Sequence, residues 1–339
     1  MSILVTGGAG YIGSHTAHEL VDRGETIVVL DNLSTGFRAA IPPSASFVQG
    51  DVGDRALVRR IIADHGVQAI IHFAGSIVVP DSVADPVGYY RNNTVNSLNL
   101  IDAAIEGGVS HFIFSSTAAV YGDPDAVPVR EEAPLRPLSP YGRSKLMTEW
   151  MLQDAVVAHP SLSFAALRYF NVAGADPAQR TGQSTANATH LIKVAVQTAI
   201  GRRDGMQVFG TDYPTADGTC IRDYIHVVDL AGAHVEMLNY LRAGGRSTIA
   251  NCGYGHGFSV LDVVDVVKRV SGVDFPVTFA ARRAGDPGRI VACADRLRSL
   301  TGWRPRFDDL EAIVRHALAW EKTLVPGRAD VRAGSVRAG

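Results

Sequence analysis

The chain has 339 residues, 46% of them apolar and 19% charged, with a formal net charge of −2 at pH 7. That apolar content excludes a mainly disordered chain. The near-neutral charge removes the electrostatic case for a nucleic-acid binder, and no apolar run approaches the ~20 residues that span a bilayer.

The length suits one large domain with a smaller lobe, because single cores stop growing at roughly 250–300 residues. The opening Ser2-Ile3-Leu4-Val5 has no basic region ahead of it, so no signal peptide is expected. Cys220, Cys252 and Cys293 show no Cys-x-x-Cys spacing and suit neither a disulfide scaffold nor a zinc site. Buried thiols, no metal and a cytoplasmic location are the matching expectations.

Residues 2–6 are a β-branched run stopped by glycines, which predicts a buried strand. A helix is predicted over 11–23, closed by Gly24, then a strand over 26–30 ending in Asp31. A third strand should end near Asp51, followed by a helix over 54–65 and a strand over 69–74. A helix is predicted over 91–106, with Val95, Leu98, Ile101, Ala104 and Ile105 on one face. Strands over 111–116 and 163–170 flank a helix over 140–158, with Ser139 as N-cap and Pro140 at its first position. Alternating strand and helix predict an α/β fold, a Rossmann-type doubly wound parallel sheet.

The rhythm then changes. Residues 172–190 and 202–221 read as long loops, which are usually functional. The stretch 223–241 reads as a strand end plus a helix, and 259–271 as an amphipathic helix. A last helix over 308–322 places Leu310, Ile313, Val314, Ala317 and Trp320 on one face.

Two motifs carry chemistry. The run from Gly7 to Gly13 contains Gly7-x-x-Gly10-x-x-Gly13 between strand and helix. Such glycines let the backbone turn and approach a pyrophosphate on the helix N-terminus. Asp31, 18 residues past Gly13, is placed to accept hydrogen bonds from an adenosine ribose and so favours NAD over NADP. Asp51, with Val52, could meet the adenine. The second motif is Tyr141-x-x-x-Lys145, whose i,i+4 spacing puts both side chains on one helix face. An ammonium beside a phenol favours phenolate, and the positive nicotinamide ring of NAD would push the same way, which makes tyrosine a usable base. Ser115-Ser116-Thr117 brings hydroxyls to the end of the preceding strand.

With these motifs the chain resembles the extended short-chain dehydrogenase/reductase family, and within it the UDP-sugar 4-epimerases, from about residue 2 to 322. The stretches that carry the resemblance include VTGGAGYIGSH (5–15), DNLSTG (31–36), IHFAG (71–75), FIFSSTAAVYGD (112–123), SPYGRSKLMTE (139–149) and LRYFNVAGA (167–175). The most specific is FGTDYPTADGTCIRDYIHVVDLA (209–231).

The resemblance implies bound NAD, a UDP-sugar substrate, and C4 epimerisation of UDP-galactose to UDP-glucose through a 4-keto sugar. It implies Tyr141, Lys145 and Thr117 as catalytic residues. The implied cofactor set is Gly7, Gly10, Tyr11, Ile12, Gly13, Asp31, Asn32, Leu33, Ser34, Thr35, Gly36, Asp51, Val52, Phe73, Ala74, Gly75, Asn92, Thr117, Tyr141, Lys145 and Phe170. The implied substrate set is Thr117, Tyr141, Tyr169, Asn171, His190, Leu191, Phe209, Arg222, Arg283, Asp286 and Ile290. Arg222 and Arg283 would grip the diphosphate, since Arg gives multi-donor recognition of phosphate. A homodimer through 91–106 and 140–158 is also implied. The expected organisation is an NAD domain over 1–172 and about 222–250, a UDP-sugar lobe over about 173–221 and 251–325, and a flexible tail over 326–339.

There are departures. Ser76-Ile77 stand where some relatives carry a cofactor-contacting Lys. His190 stands where some have Asn, and could bind the diphosphate or sugar or simply cap a helix. Ile290 occupies the position that sets pocket size; it is intermediate, which leaves N-acetylated and pentose UDP-sugars open. A dehydratase would need acidic residues after Thr117, where this chain has Ala118-Ala119. A cofactor-binding protein without catalysis should lack Tyr141 or Lys145; this chain keeps both.

Overall fold

The structure, a computed structural model, describes residues 2–185, 188–283 and 286–324. The tail 326–339 lies outside the described residues. Seven parallel strands form the main sheet, in the order Thr248–Cys252, Ser163–Tyr169, His111–Ser115, Val67–His72, Ser2–Thr6, Thr26–Asp31, Ser46–Gln49. The winding reverses between Ser2–Thr6 and Val67–His72, and a crevice opens at the carboxyl ends of strands at such a reversal. Gly7, Asp31, Phe73 and Ser115-Ser116-Thr117 all lie at that end of the sheet.

Alternation along each strand splits the core into two layers. Ile3, Val5, Val29, Ile71 and Ile113 face the helices Tyr11–Asp22 and Val227–Arg242. Leu4, Val28, Ile70, Phe112 and Phe114 face Arg55–His65, Asn96–Glu106 and Pro140–Ala158. With both faces covered, the strands read as near-continuous apolar runs.

The second half adds three short sheets. Asn171–Ala173 pairs with Tyr224–His226, Met206–Phe209 with Val277–Ala280, and Ile221–Arg222 sits between Phe258–Ser259 and Arg289–Ile290. Helices Leu191–Ala199, Val260–Ser271 and Leu310–Thr323 pack on one another and join the first core layer through Ile192, Val263, Ile313 and Leu318. Among the described residues no helix is long and apolar enough to cross a membrane. All three cysteines are buried and unbridged.

Most expected elements stand within two residues of their predicted bounds, and Ser139 caps its helix by accepting from the Gly142 N–H. Four differ. The strand expected over 69–74 is Val67–His72, so Phe73 and Ala74 lie in the crevice loop. The helix expected over 91–106 is a wide π-helical turn, Tyr90–Val95, followed by Asn96–Glu106. Its buried face is Leu100, Ile101, Ala103 and Ala104, while Val95 and Leu98 are half exposed, because the contact with Val58 and Ile62 selects a stripe rotated from the expected one. The stretch 202–221 is not only loop, since Met206–Phe209 is a strand. The edge strand Thr248–Cys252, with few β-branched residues, gave little sequence signal.

Leu152 anchors the helix Pro140–Ala158 and is fully buried. Leu152→Ala is expected to cost about 2–5 kcal/mol, read as a lower midpoint in denaturant unfolding.

Candidate active site

The crevice is lined first by backbone. Gly7 has φ +70°, and a Cβ there would lie 2.6 Å from the Ala74 nitrogen. A Cβ on Gly13 would lie 2.2 Å from the Gly7 carbonyl oxygen. Only glycine permits this contact of loop, strand end and helix. Gly10 caps the helix Tyr11–Asp22 without a side chain, leaving its first N–H groups for a ligand. Tyr11 crosses to the lobe, where its hydroxyl donates to the Gly174 carbonyl at 2.7 Å.

Asp31 ends its strand with Oδ2 accepting from Ala9 N at 2.9 Å and Oδ1 from Leu33 N at 2.8 Å. Burial raises its carboxyl pKa, and the two N–H groups offset part of that rise. The Asn32 amide donates to Asp51 Oδ2 at 3.2 Å, and Asp51 Oδ1 accepts from Gly53 N at 2.7 Å. Asn32-Leu33-Ser34-Thr35-Gly36 thus closes against the glycine loop. Val52 is buried in the core behind it.

On the other rim, Gly75 lies against Asn93, and Ser76 N donates to Asn93 Oδ1 at 2.7 Å. Asn92 Nδ2 donates to Ser76 Oγ at 2.8 Å. Ile77 is 52% exposed, so no cation stands there.

Tyr141 and Lys145 face the strand end from one side of their helix, and both are buried. Thr117 Oγ1 accepts from Ala119 N at 3.1 Å, and its side chain pulls the Tyr141 phenol pKa down. Lys145 Nζ donates to the Ser115 carbonyl at 3.0 Å and lies 5.0 Å from the Phe114 ring centroid. The Lys145 ammonium and the positive ring of NAD are together expected to favour phenolate. Burial dominates: Tyr141 is pushed up to about 12, with only Thr117 pulling it down, and Lys145 is pushed down to about 8. Desolvation disfavours both charges, so a further positive charge is needed to make phenolate.

The lobe side is assembled from several segments. Tyr169 Oη and Ser115 Oγ are 2.6 Å apart. Phe170 packs with Ile290, Ala118, Tyr121 and Leu146. Asn171, His190 and Leu191 line one cavity with Gln183 and Lys193. His190 opens the helix Leu191–Ala199 without capping it, its Nδ1 lying 2.7 Å from Gln183 Nε2. Arg283 stacks on Phe209 with its guanidinium 3.9 Å from the ring centroid. Arg222 donates to Asp286 Oδ1 at 2.8 Å, so these two expected ligand contacts meet each other. Ile290 pairs in register with Arg222.

Sequence reasoning missed Asn93, Gln183, Lys193, Glu149 and Arg168. Only Glu149 carried a signal, because it continues the four-residue step from Tyr141 and Lys145.

Residues 3–253 match the model of the NAD dependent epimerase/dehydratase family, and the chain belongs to that family. It is 58% identical over 335 residues to the UDP-glucose 4-epimerase of Azospirillum brasilense, covering 98% of this chain and 96% of the relative. The crystal structure of UDP-glucose 4-epimerase from Brucella ovis in complex with NAD superposes with a TM-score of 0.91 at 44% identity, covering 94% of this chain and 97% of that one. The UDP-Glc/GlcNAc 4-epimerase of Campylobacter jejuni superposes with a TM-score of 0.84 at 49% identity, covering 95% and 99%.

The glycine cradle, the uncapped helix N-terminus and Asp31 fit a dinucleotide. Gly13→Ala is expected to weaken NAD binding about ten-fold or more, matching the 1–3 kcal/mol that overpacking commonly costs, as measured by a binding isotherm.

Proposed function

We propose that this protein interconverts UDP-galactose and UDP-glucose at C4, with NAD as a resident cofactor. One observation carries the reading: Tyr141 and Lys145 on a single buried helix face, opposite Thr117, beside the dinucleotide cradle. Gly7, Gly10 and Gly13 would receive the pyrophosphate and Asp31 the adenosine ribose. Bound NAD supplies hydride acceptance and return, together with positive charge that favours phenolate. Thr117 holds the sugar C4 hydroxyl and Tyr141 takes its proton. After the resulting 4-keto sugar turns over, Tyr141 returns the proton to the C4 oxygen. Lys145 steadies the phenolate while anchored on the Ser115 carbonyl.

Arg222 and Arg283 would hold the diphosphate, with Asp286 released from Arg222 toward the uridine ribose. Phe209 would flank the uracil, while Tyr169, Asn171, His190 and Leu191 would line the sugar and diphosphate path. Ala118 and Ala119 offer no acid or base for dehydration at neighbouring carbons. Ile290 bounds the pocket beside Ala118. Its moderate size leaves UDP-GlcNAc/GalNAc or UDP-xylose/arabinose as the alternative substrate, and the Campylobacter jejuni relative is named for both Glc and GlcNAc forms.

The test is incubation of the purified protein with UDP-galactose and no added NAD. Appearance of UDP-glucose by chromatography is expected, with Tyr141→Phe inactive. No conversion even with added NAD overturns the UDP-galactose reading.

We also infer a homodimer through 91–106 and 140–158, and a cytoplasmic location in keeping with three unbridged thiols. Val95, Leu98, Trp150 and Val157 are 47%, 48%, 51% and 81% exposed on those adjacent helices. Large exposed apolar patches mark association surfaces, and two such helix pairs form a four-helix bundle across a two-fold axis. Sedimentation equilibrium is expected to give twice the chain mass, falling to one chain mass in Leu98→Asp.

A further inference from the structure

Tyr141, Lys145 and Glu149 follow one another at four-residue steps along the helix Pro140–Ala158, and all three are buried. Opposite them runs Ser115-Ser116-Thr117. Each helix residue meets one residue of that run. Lys145 Nζ donates to the Ser115 carbonyl at 3.0 Å, and the Thr117 side chain is near enough to Tyr141 to lower its phenol pKa. Ser116 Oγ donates to Glu149 Oε1 at 2.5 Å. The proposed chemistry uses the first two rungs and leaves the third unexplained.

Glu149 is fixed from behind by the next strand. Arg168 Nε donates to Oε1 at 2.9 Å and a terminal nitrogen to Oε2 at 2.6 Å. The two side chains are 3% and 1% exposed. The other terminal nitrogen of Arg168 donates to Tyr121 Oη at 2.9 Å and reaches the Glu131 carbonyl at 3.4 Å. Tyr121 Oη in turn donates to Asn251 Oδ1 at 2.7 Å. Arg168 also precedes Tyr169, whose hydroxyl holds Ser115 Oγ.

A buried ion pair is weak evidence of added stability, because well-packed apolar residues often do as well. A bidentate Arg–carboxylate pair does fix direction. We infer that Glu149 and Arg168 are positioning residues that hold Ser116, and through it Thr117 and the Ser115 carbonyl, in register with Tyr141 and Lys145. The inference rests on the roles proposed above for Tyr141 and Thr117. Neither residue touches the crevice; both act through the strand end.

The experiment compares Ser116→Ala, the double variant Glu149→Met/Arg168→Met, and Tyr141→Phe on the holoenzyme, using UDP-galactose conversion. Ser116→Ala removes the third rung without burying an unpaired charge. The double variant removes the pair but keeps the volume apolar. Both are expected to keep the wild-type thermal midpoint within a few degrees and the wild-type KM. Their kcat should fall on the order of ten- to a hundred-fold, the scale of an ångström misplacement at a reacting centre. The acid limb of the kcat profile should move to higher pH, because Thr117 no longer supports phenolate. A merely structural role would move the thermal midpoint and leave that limb in place.

The inference is overturned if both variants keep wild-type kcat and acid limb while Tyr141→Phe is inactive. Full turnover by Tyr141→Phe instead sinks the reading of the site itself, and the inference with it. Should the double variant fail to fold, Ser116→Ala decides alone.

Discussion

Removing ionisable groups from water along one helix stripe is the constraint on which this site depends. Tyr141, Lys145 and Glu149 are 8%, 4% and 1% exposed. A buried polar group without a partner is costly, so the strand end opposite must present a carbonyl and two hydroxyls at matching heights. Burial also sets the chemistry of the crevice. It holds Tyr141 up at about 12 and pulls Lys145 down to about 8. The pair taken alone is therefore a poor base.

The cofactor side is built from close backbone approach rather than from side chains. Gly7, Gly13 and Ala74 nearly touch, and Asp31 ties the glycine loop to its own turn through two N–H groups. On the opposite rim, Asn92 and Asn93 bind Ser76, which orders that loop without a cation. The π-helical turn Tyr90–Val95 brings both asparagines there. The absence of a lysine at Ile77 is thus met by neutral hydrogen bonding of the loop itself.

The sheet was legible because its strands are buried on both faces and read as apolar runs between glycines. The helix Pro140–Ala158 was legible through Ser139 and Pro140. The glycine loop, Asp31 and the Tyr141–Lys145 pair were legible because each depends on short-range spacing. What escaped depends on distant partners. Thr248–Cys252 becomes a strand by pairing with Ser163–Tyr169, and no local pattern announces it. The buried stripe of Asn96–Glu106 is chosen by Val58 and Ile62, which periodicity alone does not identify. The Arg222–Asp286 contact spans 64 residues of sequence. Burial, which the sequence does not give, raises the Tyr141 phenol.

One feature of the packing bears on how the molecule comes apart. The apolar layer beneath the sheet runs without interruption into the three packed helices of the second half, from Ile3 and Val29 through Leu230 to Val263 and Leu318. Among the described residues the two regions share this one apolar layer. A core layer shared in this way favours melting as a single transition.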